Sequence, residues 1–417
     1  MMYKKQFVCC FILFQGIITI AQSDLLKVLP ETVGMSSEGL HALDAHLHAI
    51  VDQGKLAGVQ TAILRKGKLA HFDTYGFSNI ANKETLKENS IYRIFSMTKP
   101  IVSVAIMQLY EKGKFKLEDP VYKYIPAFKH MKVHSEAEGL TLAKNPIKII
   151  DLLRHTSGIG YGRSENDHIN ALYAKAQLTG SKNLEEFMVK LCELPLYFEP
   201  GTNWGYGHST EVVGYLIEVL SGKSLDVYLN EQIFEPLRMS DTHFELPQDK
   251  INRFTTGYSA DEEGKLFVTE LPSESRFAQE VTFLRGGGGL VSTMHDYLNF
   301  CQMLLNKGTF DGVEILKPET LALMTKDHLH KVRTYQKEPL RLMPRETGFG
   351  LGFSVAAYEE NGERGIYGWG GAVGTYFRID PKQDLAYVLM IQLSPYRPLR
   401  LREKFPELVN KAIIHRN

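Results

Sequence analysis

The chain has 417 residues, of which 44% are hydrophobic and 23% charged, the composition of an ordinary globular protein rather than a disordered one. Lys plus Arg and Asp plus Glu are equal at 48 each, so the formal net charge is zero. With no net field, the composition does not indicate nucleic acid or anionic lipid as a partner.

The first residues have the layout of an export signal. Lys4 and Lys5 precede an apolar run of roughly fifteen residues, short for a bilayer span, and small residues end the run at Ala21. We therefore expect a signal peptide over residues 1–21, cleavage after Ala21 and a periplasmic or secreted protein. The alternative is an uncleaved anchor. No membrane span is expected after signal removal.

Two cysteines, Cys192 and Cys301, remain once Cys9 and Cys10 of the signal are removed. Two cysteines so far apart do not make a disulfide framework. Each lies among apolar neighbours, as a buried small side chain does. We predict free thiols.

The mature chain begins with helical and then strand-like sequence. Apolar residues recur at helical spacing after Ser36 or Ser37, either of which is a plausible N-cap. Two runs of strand-favouring residues, GVQTAILRKG and KLAHFDTYGF, meet at Lys66-Gly67-Lys68 and predict a β-hairpin. From residue 96 to about 245 the pattern is mostly helical, interrupted by Pro and Gly turns.

Strand-like sequence returns near the C-terminus. The runs FGLGFSVAAY, GTYFRID and LAYVLMIQL predict strands, and a final helix is expected over about 400–415, with Pro406 limiting its first turn. This order predicts an α/β (α+β) fold, an antiparallel sheet flanked by helices and shared by both ends of the chain. We expect one domain over 22–417, with sheet parts at about 36–92 and 346–417 and a mainly helical insertion at about 96–245.

The tetrad Ser96-Met-Thr-Lys99 stands at the start of an apolar, helix-like segment. Pro100 fits there because the first turn of a helix has no acceptor for the N–H that proline lacks. Lys99 would lie one turn from Ser96, where a desolvated amine can act as a general base. The spacing arises about once or twice by chance in a chain of this size. Alone it is weak evidence, and a serine at a helix start is also a routine cap.

Several stretches together resemble the serine β-lactamase and penicillin-binding-protein superfamily, in particular its class C-like esterase branch. They are YRIFSMTKP, LLRHTSGIGYG (152–162), FEPGTNWGYGHSTEVVGYLIE (198–218), GGGGLVSTMHDYLNF (286–300) and YGWGGAVGTYFRIDP (367–381). They occur in a compatible order over nearly the whole mature chain, which makes the resemblance specific where one motif would not be. It implies a β-lactamase/transpeptidase-like fold, a serine acyl-enzyme, and no metal or organic cofactor.

The resemblance also gives roles to particular residues. Ser96 matches the family nucleophile, Lys99 its lysine partner, and Tyr206 the tyrosine that relays the serine proton to the leaving group. The family's Tyr-x-Asn motif ends here in His208. A neutral imidazole can accept from Lys99 or donate to a carbonyl, but not both in one geometry.

The family's Lys-Thr-Gly motif is replaced by Trp369-Gly370-Gly371. The resemblance implies that the N–H groups of Ala372 and Ser96 form the oxyanion hole. The two glycines would let a substrate approach the strand closely, and a β-bulge is compatible with the same role. Trp369 offers an indole N–H and an apolar face, but neither the cation nor the hydroxyl of the lactamase motif.

Other features favour structural explanations. Gly286 to Gly289 lack the phosphate-loop pattern, and Thr293 with Asp296 predicts a capping pair. No histidine or carboxylate set has zinc spacing, so no metal is expected, and His155 is interpreted as structural. The polar stretch 325–348 predicts a long loop near the strand of Trp369.

These observations predict a secreted serine hydrolase of small-molecule esters or amides. The leading function is carboxylic ester hydrolysis. The alternatives are a D-amino-acid peptidase or β-lactamase acting on peptidoglycan-like substrates, and a penicillin-binding sensor that acylates without turnover. Intact Ser96, Lys99 and Tyr206 argue against the sensor. The sequence leaves the natural substrate and the oligomeric state open.

Overall fold

A computed structural model describes residues 25–135, 139–329, 332, 347–356 and 365–414. The predicted signal peptide over 1–21 and most of the predicted loop at 325–348 lie outside the described residues. Within the part of the chain that is described, no helix is long and apolar enough to cross a membrane. Cys192 and Cys301 are both free, as predicted.

The regular elements follow the predicted order. The strands are β1 Gly58–Arg65, β2 Lys68–Asn79, β3 Glu84–Thr85, β4 Ile91–Arg93, β5 Lys132–Ser135, β6 Gly139–Leu142, β7 Gly257–Ala260, β8 Leu266–Glu270, β9 Val291–Thr293, β10 Thr309–Phe310, β11 Val313–Glu314, β12 Thr347–Phe349, β13 Ser354–Ala356, β14 Tyr367–Gly370, β15 Tyr376–Asp380 and β16 Leu385–Met390. The helices are α1 Ser37–Asp52, α2 Thr98–Glu111, α3 Ile149–Leu153, α4 Asp167–Ala176, α5 Leu184–Cys192, α6 Ser209–Ser221, α7 Leu225–Leu229, α8 Met294–Leu305, α9 Pro318–Met324 and α10 Leu401–Lys411.

The main sheet joins both ends of the chain. Its strand order is β12-β13-β14-β15-β16-β1-β2-β3, and β1 pairs antiparallel with β16 from Gln60 opposite Met390 to Arg65 opposite Leu385. The predicted fold class, an antiparallel sheet flanked by helices, is therefore confirmed. Between β4 and β7 the chain is mostly helical, with one short hairpin, β5–β6.

Strict alternation on the central strands gives the sheet two buried faces. In β16, Tyr387 and Leu389 belong to the core cluster that contains α1 and α10, whereas Val388 and Met390 belong to the larger cluster that contains α2 and α8. Successive side chains of a strand point to opposite faces, so one continuously apolar strand serves both layers.

Helix ends agree with the sequence except at the C-terminus. Ser36 accepts from Gly39 N to cap α1, and Thr293 accepts from Asp296 N to cap α8. Pro406, however, lies in the interior of α10 and not in its first turn. The lost donor is tolerated because Phe405 and other apolar residues of α10 are buried against the sheet and α1.

Candidate active site

Ser96 lies at the junction of the sheet and the helical region. It sits in a short 3₁₀ turn, Phe95–Met97, that runs directly into α2, and its side chain is half-buried. Phe95 has a φ of 41°, in the left-handed region that aromatic residues seldom adopt. Such strained residues persist where the surroundings enforce them, often at active sites. Here the surrounding structure holds the backbone next to Ser96 in this conformation.

The Lys99 side chain is buried, with 1% of its surface exposed, and directs its amine at Ser96. Nζ lies 3.4 Å from Ser96 Oγ, donates to the Tyr161 hydroxyl at 3.1 Å, and donates to the Gly287 carbonyl. An ammonium has three N–H donors, so these three acceptors satisfy it completely. Catalytic hydrogen bonds are often long before a substrate binds, so 3.4 Å is within reach of proton transfer.

Tyr206 reaches the same centre with its ring rather than its hydroxyl. Lys99 Nζ lies 4.8 Å from the centroid of the Tyr206 ring, a cation–π contact. The hydroxyl of Tyr206 accepts from Trp369 Nε1 at 3.3 Å. The described residues show no hydrogen bond between the Tyr206 phenol and the Lys99 amine, whose donors go to Ser96, Tyr161 and Gly287.

His208 does not replace the family's asparagine as a partner of Lys99. Its Nδ1 lies 3.6 Å from Glu211 Oε1, and its ring packs edge-on against Tyr161 with centroids 4.4 Å apart. Of the two roles left open for His208, acceptance of a hydrogen bond from Lys99 is not seen in this structure, because the donors of Lys99 go to Ser96, Tyr161 and Gly287. The imidazole is directed away from the amine, whose donors are already satisfied.

The end of β14 lies against the chain that precedes Ser96. Gly371 N donates to Thr375 O at 2.8 Å, and a Cβ added to Gly371 would lie 2.5 Å from the carbonyl oxygen of Ile94. Only glycine permits this approach. The glycine at 371 is thus required by the packing of the strand on the Ser96 turn.

Arg402 of α10 fixes the next peptide unit. Its Nη2 donates to Gly371 O at 2.6 Å and to Thr375 O at 3.1 Å. In a trans peptide the following N–H points opposite to the carbonyl. The Ala372 N–H therefore points away from Arg402, and Ala372 is exposed, a placement compatible with the oxyanion role predicted for it.

Burial and charge set the protonation of the surrounding groups. Burial, followed by the charge of Lys99, lowers the pKa of His155 to about 3, so this residue stays neutral, in keeping with a structural role. Burial, with the neighbouring Tyr206 and Glu211 charges, raises the pKa of Tyr161 well above its usual value. Tyr161 therefore accepts from Lys99 as a neutral phenol.

Aromatic rings form one wall of the site. Trp369 and Tyr206, both half-buried, pack against a buried cluster that contains Trp204 and Phe349. The Phe349 and Trp369 ring centroids are 5.2 Å apart in an edge-on contact. A group bound at this wall would meet apolar surface.

Tyr161, Gly287, Glu211 and Arg402 were not predicted as site residues. Tyr161 lies within LLRHTSGIGYG and Gly287 within GGGGLVST, so both segments were recognised but no role was given to these residues. Nothing in a sequence shows that a backbone carbonyl such as that of Gly287 accepts from a lysine. The Lys99 contacts required the folded chain.

Comparisons with known proteins identify the family of this chain. The family model described as "Beta-lactamase" matches residues 43–408. Protein Rv1367c of Mycobacterium tuberculosis is 32% identical over 365 residues, which cover 84% of this chain and 89% of that protein. Esterase EstB of Burkholderia gladioli is 24% identical over 378 residues, covering 84% and 90%.

Among solved structures, simvastatin synthase (LovD) from Aspergillus terreus superposes with a TM-score of 0.77 at 23% identity, covering 91% of this chain and 98% of that one. This similarity extends the fold assignment to almost the whole described chain. The family match includes Ser96, Lys99, Tyr206 and the Trp369 strand. The chain therefore belongs to the beta-lactamase family of serine hydrolases.

Proposed function

We propose that this protein hydrolyses carboxylic esters through an acyl-enzyme on Ser96. The contact of 3.4 Å between Lys99 Nζ and Ser96 Oγ carries the proposal, because it joins a nucleophile to a buried amine whose other donors are fixed. The name of the relative EstB, an esterase, supports the same reaction class.

The reaction has two steps. In the reactive form the Lys99 and Tyr206 pair has given up one proton, so it accepts the proton of Ser96 Oγ as that oxygen attacks the ester carbonyl carbon, while the N–H groups of Ser96 and Ala372 stabilise the oxyanion. The alcohol leaves with that proton as the C–O bond breaks. Water then gives a proton to the same pair and attacks the acyl-enzyme, and the pair passes that proton to Ser96 Oγ as the bond to the acyl group breaks and the acid leaves.

The aromatic wall favours an ester over a peptidoglycan-like substrate. Trp369 replaces the cation of the lactamase motif, and its indole N–H is already donated to Tyr206. An uncharged acyl group gains apolar contact there. We further propose that the protein acts in the periplasm or outside the cell, on the strength of the N-terminal sequence alone.

Fluorophosphonate labelling followed by intact mass tests the nucleophile. We expect one adduct per chain, on Ser96, and its loss with ester hydrolysis in Ser96→Ala. Ser103→Ala, a buried serine two turns further along α2, is the matched control and should label normally. More than about a tenth of the wild-type activity in Ser96→Ala would refute the assignment.

The same samples distinguish the alternative functions. Steady turnover of a p-nitrophenyl ester supports the esterase. A stable penicillin adduct, with a product burst equal to the enzyme and no steady state on any substrate, would support the non-turnover sensor instead. Faster turnover of a D-Ala-D-Ala peptide or penicillin than of esters would support the peptidase or lactamase.

A further inference from the structure

Besides Ser96, the Lys99 amine donates to two acceptors, the Gly287 carbonyl and the Tyr161 hydroxyl. Each of these two residues lies against one member of a buried pair, Glu211 and His208. The Gly287 carbonyl accepts from Lys99, and the α-carbon of Gly287 lies so close to Glu211 that an added Cβ would be 2.4 Å from a carboxylate oxygen. Tyr161, the other acceptor, packs against the His208 ring at 4.4 Å.

The pair is enclosed and charged. The Glu211 side chain is 1% exposed, and no hydrogen bond from the described residues reaches either carboxylate oxygen. A buried carboxylate without hydrogen bonds is costly and depends on nearby positive charge. Burial raises the pKa of Glu211, but the contact and charge of His208, then the charges of Lys99 and Arg285, lower it to about 2. Glu211 is therefore ionised at neutral pH.

We propose that Glu211, together with His208, is a positioning residue that holds the Lys99 amine against Ser96 through Gly287 and Tyr161. The inference rests on the proposed function, in which that amine takes the Ser96 proton. Neither residue contacts the reacting oxygen, so both act through the acceptors of Lys99. Glycine is needed at 287 because any side chain would displace the carboxylate.

The carboxylate also acts on the protons of the site. The charged and titratable groups that interact with it are Lys99, His208, Arg285, Arg276, His155 and Tyr161, and its charge is among the causes that raise the pKa of Tyr161. A negative charge favours retention of protons by its neighbours. Without this negative charge, the groups that accept the Ser96 proton would themselves deprotonate more easily. The acidic limb of the kcat/KM profile should therefore move to lower pH.

The test uses two substitutions of one residue. Glu211→Gln keeps the shape and removes the charge, whereas Glu211→Asp keeps the charge and withdraws it from Gly287. We expect each to lower kcat per active site at least about tenfold, with KM changed less than about threefold, because the amine is misplaced. Only Glu211→Gln should shift the acidic limb. Fluorophosphonate titration counts the folded sites, so a loss of stability does not imitate the effect.

Glu218→Gln is the matched control. Glu218 lies on the same helix, α6, is half-buried and accepts from Leu225 N at 3.0 Å, away from Lys99. It should leave kcat per active site and the pH profile unchanged. If Glu211→Gln behaves like this control, Glu211 only stabilises the fold and the proposal is wrong.

A second pair of variants decides the outcome if Glu211→Gln does not fold. His208→Gln should lower kcat in the same way. The double variant that combines His208→Gln with Glu211→Asp should lose no more kcat than the worse of the two single variants, because both residues act on one amine. If the kcat losses of the two single variants multiply in the double variant, His208 and Glu211 do not act together on Lys99, and the proposal is wrong. Labelling at a residue other than Ser96 would refute the proposed function, whereas wild-type labelling rates in the Glu211 variants would refute only this inference.

Discussion

Trp369 donates its indole N–H to the hydroxyl of Tyr206 across 3.3 Å. The residue that replaces the lactamase lysine is thus coupled to the tyrosine predicted to relay the proton. We expect Trp369→Phe to lower kcat about twofold to tenfold, the range that a net hydrogen bond of about 0.5–1.5 kcal/mol represents. Steady-state hydrolysis of a p-nitrophenyl ester measures it.

Trp204→Phe is the control for that variant. Trp204 is the other tryptophan of the chain, stacks on Tyr206 at 6.2 Å, and its buried indole nitrogen has no hydrogen-bond partner among the described residues. It should keep kcat per active site within about twofold, because no hydrogen bond is lost. Equal losses in the two variants would mean that ring volume, and not the N–H, matters at Trp369.

Lys99→Ala and Tyr206→Phe should each lower kcat roughly a hundredfold or more, the usual scale of general acid–base catalysis. The double variant should lose less than the product of the two, because both residues act on one proton. The double-mutant cycle measures this coupling directly. Fully multiplicative losses would show that the two groups act independently.

Tyr161→Phe removes an acceptor of the Lys99 amine and leaves the ring in place. A hydrogen bond to a charged group contributes about 1.5–3 kcal/mol, so we expect kcat to fall roughly tenfold to a hundredfold. Tyr228→Phe, another buried tyrosine, whose hydroxyl lies 3.4 Å from Gln108, is the control for general destabilisation. Unchanged turnover in Tyr161→Phe would show that Gly287 alone holds the amine.

Ester turnover should exceed β-lactam and D-peptide turnover. A penicillin carboxylate placed at Trp369 would lose water without its usual lysine and hydroxyl partners, a penalty of about 1–3 kcal/mol or more. We expect kcat/KM on a short-chain p-nitrophenyl ester to be at least about a hundredfold above that on benzylpenicillin or a D-Ala-D-Ala peptide, which corresponds to roughly 2.7 kcal/mol.

One cation near β14, Arg402, already donates hydrogen bonds to backbone carbonyls. Arg402 donates to the carbonyls of Gly371 and Thr375, and would have to leave them to meet a carboxylate. Equal or reversed rates would mean that Arg402, or Arg333 or Arg341 outside the described residues, replaces the lysine. A much larger loss of penicillin turnover than of ester turnover in Arg402→Gln would identify Arg402, because the peptide that it holds at Gly371 would serve both reactions.

Export should yield a mature chain that begins at Gln22. The basic, apolar and small-residue regions of the first residues are those that a signal peptidase requires. Fractionation of the native host and N-terminal sequencing of the purified protein check this expectation. A chain that begins at Met1 in the cytosolic fraction would contradict both export and cleavage.

Periodicity alone predicted most of the fold. The run LAYVLMIQL predicts a strand, and the structure places most of it as β16, which is buried on both faces between the two core clusters. The effect of Pro406 was predicted wrongly: it was expected to limit the first turn of the last helix, but α10 continues through it from Leu401 to Lys411, because burial of the apolar face of α10 overrides the local preference against proline. Residue propensities do not include the stabilisation that a helix gains from tertiary packing.

The pairing of the nucleophile with its lysine could also be predicted from the sequence, because Ser96 and Lys99 are three residues apart in one segment and a helix turn brings them together. The partners of the lysine come from segments 62 and 188 residues away along the chain, Tyr161 and Gly287. Only packing selects such partners among many phenols and carbonyls. The side-chain directions of His208 and Trp369 were decided in the same way: the imidazole lies 3.6 Å from the Glu211 carboxylate and the indole donates to Tyr206, because the fold brings these groups together.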